Sequence, residues 1–72
     1  MNQAILFNDD LCQKADGIWQ LSGFYQGELV VFELKTKVNE LTEQIKFDWE
    51  LQIEDWLEDN EPVQNPVVIT LT

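Results

Sequence analysis

The chain has no histidine and no arginine, and its four basic residues are all lysines. Without histidine it lacks the side chain that ordinarily titrates near neutral pH and does most general-base work. Without arginine it lacks the planar fork that clamps phosphate or carboxylate. Against those four lysines stand 14 acidic residues, for a net charge of −10. Phosphate backbones and anionic membranes are bound through basic residues, so direct nucleic-acid binding and membrane docking are not expected. If charge selects a partner, that partner is basic.

A single cysteine, Cys12, excludes an intrachain disulfide. With no histidine beside it, the usual structural zinc sets cannot be assembled. Its sequence neighbours Asp9, Asp10 and Asp16 are unsuited to stabilising a thiolate, so Cys12 reads as a small buried hydrophobe. No apolar run is long enough to cross a bilayer. The start, MNQAILFNDD, has no basic n-region and only a four-residue apolar run from Ala4 to Phe7. A secretory leader is therefore not expected, and a lone cysteine fits a cytoplasmic location.

Carboxylate pairs such as Glu54-Asp55 and Glu58-Asp59 raise the question of acid catalysis. Such chemistry needs a cleft and one acid with a raised pKa, and 72 residues leave little volume for either. The stretch EDWLEDNE offers oxygen ligands but lacks the alternating acids and central glycine of a calcium loop. No enzymatic activity, cofactor or specific metal site is expected.

What the chain does have is core material: Trp19, Trp49, Trp56, Phe7, Phe24, Phe32, Phe47 and Tyr25. Its length predicts one domain, residues 1–72. At this size ordering the chain costs roughly 1.5 kcal/mol per residue, so the fold needs an efficient core or self-association.

Few glycines and prolines make the turns easy to place. Gln26-Gly27 lies between apolar runs and suits a two-residue hairpin turn. With Tyr25 facing Glu28, Trp19 meets Leu34, Leu21 meets Phe32 and Gly23 meets Val30. One face then collects Trp19, Leu21, Val30, Phe32 and Leu34.

The segment IKFDWELQI, residues 45–53, alternates apolar and polar without a break. A second turn at Asn39-Glu40 would set Ile45, Phe47 and Trp49 opposite Leu34, Phe32 and Val30, and Glu33 opposite Lys46. A helical stripe of Val38, Leu41, Ile45, Trp49, Ile53 and Trp56 competes with this register. It would leave Phe47 and Leu51 among the acids, so the alternation predicts a strand.

The fold expected is mainly β, a small antiparallel meander with strands near 17–24, 28–38, 41–53 and 67–72. A further strand at 3–7 and a half-open barrel are compatible with the pattern. Asn8 as an N-cap and Gly17 as a stop suggest a short helix near 9–15.

In that register Phe24 and Leu29 point outward beside Glu50, with Val31 and Asp48 in the adjacent row and Tyr25 at the turn. The short helix or the terminal strands are expected to cover this patch as a second layer. Left bare, it is an interface. Seven acids lie between Asp48 and Glu61 with no basic residue among them. The candidate partner-binding residues are Phe24, Tyr25, Leu29, Asp48, Glu50, Glu54, Asp55, Trp56, Glu58, Asp59 and Glu61. The rim acids would steer a basic partner and the aromatic residues would anchor it.

These features point to a non-enzymatic acidic binding protein that neutralises a basic partner protein, of the inhibitor, immunity or nucleic-acid-mimic kind. The alternative is a small structural or assembly domain acting as a homodimer or accessory subunit. A small-ligand pocket lined by Trp19, Phe32, Phe47 and Trp49 ranks last, because no polar residue sits among them to orient a ligand.

Overall fold

The computed structural model describes residues 5–71. It contains strands β1 (Ile5–Phe7), β2 (Cys12–Ala15), β3 (Ile18–Tyr25) and β4 (Glu28–Lys35), helix α1 (Glu43–Asp59) and strand β5 (Val67–Thr70). The strands form one sheet in the order β1-β3-β4-β5, with β2 also paired to β3. All pairings are antiparallel except β4 with β5, which is parallel.

The central hairpin follows directly from its sequence. Gln26 and Gly27 both adopt positive φ, 54° and 83°, as a two-residue turn matched to strand twist requires. Pairing runs from Tyr25↔Glu28 to Ile18↔Lys35, with Trp19↔Leu34, Leu21↔Phe32 and Gly23↔Val30 between them. Trp19, Leu21, Val30, Phe32 and Leu34 are buried on one face.

The expected third strand at 41–53 is instead the first two-thirds of α1, and this corrects the meander. Residues 43–59 contain no glycine, proline, valine or threonine, and their commonest residue is Glu, a composition compatible with helix. Thr42 caps the helix, its hydroxyl accepting from the Ile45 N–H at 3.1 Å. The helix buries Trp49, Ile53 and Leu57 against the sheet, roughly 1.5–3 kcal/mol for each large side chain. It leaves Phe47 57% and Leu51 47% exposed. The expected pairs of Ile45, Phe47 and Trp49 with β4 do not form, because β4 spends that edge on β5. The expected Glu33–Lys46 pair is absent too: Lys46 bonds to Asp9 and approaches Glu50 at 4.0 Å.

The C-terminal strand therefore returns parallel to β4 after a helical crossover, the connection that parallel strands need. Val67, Ile69 and Leu71 point into the core under α1. Residue 72, counted with this strand in the sequence reading, lies outside the described residues, as do residues 3 and 4 of the N-terminal strand. The sheet is open, with β5 on one edge and β1 and β2 on the other, so no barrel closes.

The helix expected near 9–15 is also replaced. A helix of seven residues is too short to be stable by itself, and the edge of β3 offers unpaired backbone groups. β1 takes the Gly23–Tyr25 end of that edge and β2 the Ile18–Gln20 end. Between them the chain bulges at Asp9, whose φ is 58°. Asn8 N–H still donates to Ser22 C=O at 3.0 Å. The return bond from Ser22 N–H goes to the Asp10 carboxylate at 2.9 Å rather than to backbone. Cys12, expected inside, is exposed on β2.

Candidate functional site

The sheet has two unlike faces. One carries the core and is covered by α1. The other is open among the described residues: Leu6, Phe24 and Leu29 are all exposed and form a row across β1, β3 and β4. Leu6 is 69% exposed. The covering layer expected over Phe24 and Leu29 is thus not there, because the helix lies on the opposite face.

The acids of the 48–59 stretch lie on the helix, on the far side of the sheet from Phe24 and Leu29. Glu50, placed beside Leu29 by the strand register, is on α1 and half-buried near Lys46. The apolar patch and the acidic run are therefore two separate surfaces.

The acidic run divides between two depressions on either side of α1. The first is a cleft of about 790 Å³ between the β3–β4 turn and the C-terminal end of the helix. It is lined by Tyr25, Gln26, Glu28 and Val30 from the hairpin and by residues 57–62 from the helix end. Four of the expected residues meet there: Tyr25, Glu58, Asp59 and Glu61. The second is a shallower groove of about 570 Å³ where α1 runs beside β5. It brings together Asp48, Asp55, Trp56 and Asp59 with Gln52, Ile69 and Thr70. Glu54, half-buried on α1, lines neither.

Sequence reading missed Glu28, Val30 and Leu57 as cleft residues. Glu28 could have been found, since it faces Tyr25 across the turn. Leu57 could not, because its place depends on where the helix crosses the sheet.

The helix ends without the usual compensation. No basic residue occupies its last turn. Asn60, the C-cap, has an extended backbone, and its side-chain amide donates to the Trp56 carbonyl at 3.0 Å. The carbonyl-rich negative end of the helix and the Glu58 and Asp59 side chains thus lie at the same cleft. Elsewhere, Asp10 accepts from the Ser22 hydroxyl at 2.6 Å as well as from its N–H. Burial opposes ionisation there, but the Ser22 bonds outweigh it and hold the Asp10 carboxyl below its ordinary value. On Lys46 the hydrogen bond to Asp9 is the largest influence and raises its pKa.

Among the described residues no three acidic or cysteine side chains lie close enough together to hold a metal ion. No helix among them is long and apolar enough to cross a membrane. Comparison with protein-family models, with curated proteins and with solved structures finds no match for this chain.

Proposed function

We propose that this is a non-enzymatic acidic binding protein that neutralises a basic partner protein, docking through α1 and its exit loop. The observation that carries the reading is the uncompensated charge of that element. Of the seven acids from Asp48 to Glu61, only Glu50 has a cationic side chain within 4.0 Å among the described residues. Glu50, Glu54 and Glu58 follow one another at i, i+4, as do Asp55 and Asp59. Each such like-charge pair is destabilising by roughly 0.2–0.5 kcal/mol. Acids at the helix C-terminus add a further penalty against the macrodipole. In so small a fold, breaking these local rules together is best explained by a use for the charge.

Neutralisation of the set tests this. A variant with Glu54→Gln, Asp55→Asn, Glu58→Gln and Asp59→Asn is compared with the parent in affinity capture, with washes of rising salt. The expected result is a basic protein held by the parent, released as salt rises and lost in the variant. Retention that is indifferent both to salt and to the four substitutions would remove the basis of the reading.

The row Leu6–Phe24–Leu29 favours a second reading, an assembly domain that pairs with another copy or a larger complex through the open sheet face. Its acidity would then serve solubility. Sedimentation equilibrium of the parent and of Phe24→Asp checks the homodimer form, which a strict monomer at high concentration would sink.

A further inference from the structure

We propose that the cleft at the C-terminal end of α1 is the receptor for one basic side chain, lysine or arginine, of the partner protein. This deepens the reading above and rests on it.

The cleft is more than a patch of acids. Tyr25 lines it with only 8% of its surface exposed. Its hydroxyl has no hydrogen-bond partner among the described residues, yet no fully buried side-chain oxygen or nitrogen there is left unsatisfied. The hydroxyl therefore keeps some exposure, and Tyr25 lines the cleft, where it can accept a hydrogen bond from a guest.

The rest of the lining defines what that partner should be. Val30 and Leu57 supply an apolar floor, and Glu28, Glu58, Asp59 and Glu61 supply carboxylates. No lysine lines the cleft. These carboxylates form no group able to ligate a metal ion, so they suit a larger cation bound by hydrogen bonds and charge. A lysine or arginine side chain matches this arrangement in two parts. Its methylene stem lies on apolar surface, and its charged head finds the acceptors. Negative charge from the helix terminus adds to the same field.

The test is an NMR titration of the labelled full chain. The probes are a capped glycine–serine peptide carrying one central arginine or lysine, the same peptide with norleucine in that place, and free spermidine. The expected result is saturable shifts of the Tyr25, Glu28 and Leu57–Glu61 amides with the charged peptides and none with norleucine. Tyr25→Phe keeps the ring and should weaken binding about tenfold, as loss of a hydrogen bond to a charged group does. Glu58→Gln with Asp59→Asn should weaken it at least as much. Circular dichroism on both variants separates lost contacts from lost fold.

Shifts that ignore Tyr25→Phe in a folded protein, equal shifts with norleucine, or no saturable shift in the cleft would each overturn the assignment. So would spermidine binding at least about tenfold tighter than the peptides, since that marks a site for a free polyamine. If the assignment fails while a basic partner is still captured through α1, the wider reading stands without it. If the charged peptides bind in the cleft but no basic protein is captured, the cleft still takes a basic side chain, but its assignment to a partner protein falls with the wider reading.

Discussion

The indoles of Trp19 on β3 and Trp49 on α1 meet edge to face, with ring centroids 5.4 Å apart and planes inclined at 63°. This contact joins the helix to the sheet. Trp19 is fixed from its other side as well, its Nε1–H donating to the Val38 carbonyl at 3.0 Å. Truncating Trp49 opens a hole at that junction, and Trp49→Ala is expected to destabilise the fold by roughly 3–5 kcal/mol. Phe47→Gln, two residues away on the exposed side of the helix, is expected to change stability by less than about 0.5 kcal/mol. Urea unfolding of the two variants checks this. Comparable losses from both would point back to a strand, in which both side chains face the core.

The second prediction concerns the edge bulge. Asp10→Ala removes the acceptor of the Ser22 N–H and of the hydroxyl proton, leaving the hydroxyl only the bond it accepts from Asn8, which is expected to remove about 1–3 kcal/mol. The carboxyl is held below its ordinary value when folded. Its ionised form therefore stabilises the fold fully above the ordinary carboxylate value, and that contribution is lost as pH falls through the lowered value. The stability gap between parent and Asp10→Ala should be widest at neutral pH and narrow in acid. A gap constant across that range in urea titrations would contradict the sign.

Two backbone positions should respond in opposite directions. A Cβ on Gly23 would lie 2.9 Å from the Leu6 carbonyl oxygen and 3.1 Å from Ile5 Cγ1, so β1 would have to move. Gly23→Ala is expected to destabilise by roughly 1–3 kcal/mol. Gln26 holds a left-handed φ that asparagine tolerates better. Gln26→Asn should recover about 0.5–1 kcal/mol of a penalty that runs to roughly 1–2 kcal/mol. Thermal unfolding of both variants reads the two signs.

The charge at the end of α1 should set stability against binding. Asp59→Lys places a cation at the negative end of the helix and relieves the Asp55–Asp59 repulsion. It is expected to stabilise the protein by about 0.3–1 kcal/mol. The same change should weaken capture of a basic partner. A variant that is both more stable and undiminished in capture would show that this carboxylate serves neither cleft nor partner.

The two halves of the chain differ in how much of this could be read without coordinates. The register of the β3–β4 hairpin was legible to the residue, because a period of two, a glycine turn and one-sided burial all specify it, although the strands run Ile18–Tyr25 and Glu28–Lys35 rather than 17–24 and 28–38. The α1 segment was not. Ile45, Trp49 and Ile53 lie four apart, and four is both an even number and nearly one helical turn, so they satisfy strand and helix alike. Only Phe47 and Leu51 separate the two, and the fold accepts their exposure. The error then spread to the site. It set Glu50 beside Leu29 and merged an apolar patch with an acidic one, although the sheet stands between them.

By itself the sequence determined the register of the central hairpin, its buried face, the acidity of residues 48–61 and the absence of histidine and arginine, because each follows from local pattern or composition. Tertiary structure decided what lies against β4. Once β5 takes that edge in parallel, the connection must cross the sheet, and 43–59 crosses as a helix that buries Trp49, Ile53 and Leu57. That crossing also carries Glu58, Asp59 and Glu61 to Tyr25. No spacing along the chain encodes their meeting, since they come together only through the path the helix takes over the sheet.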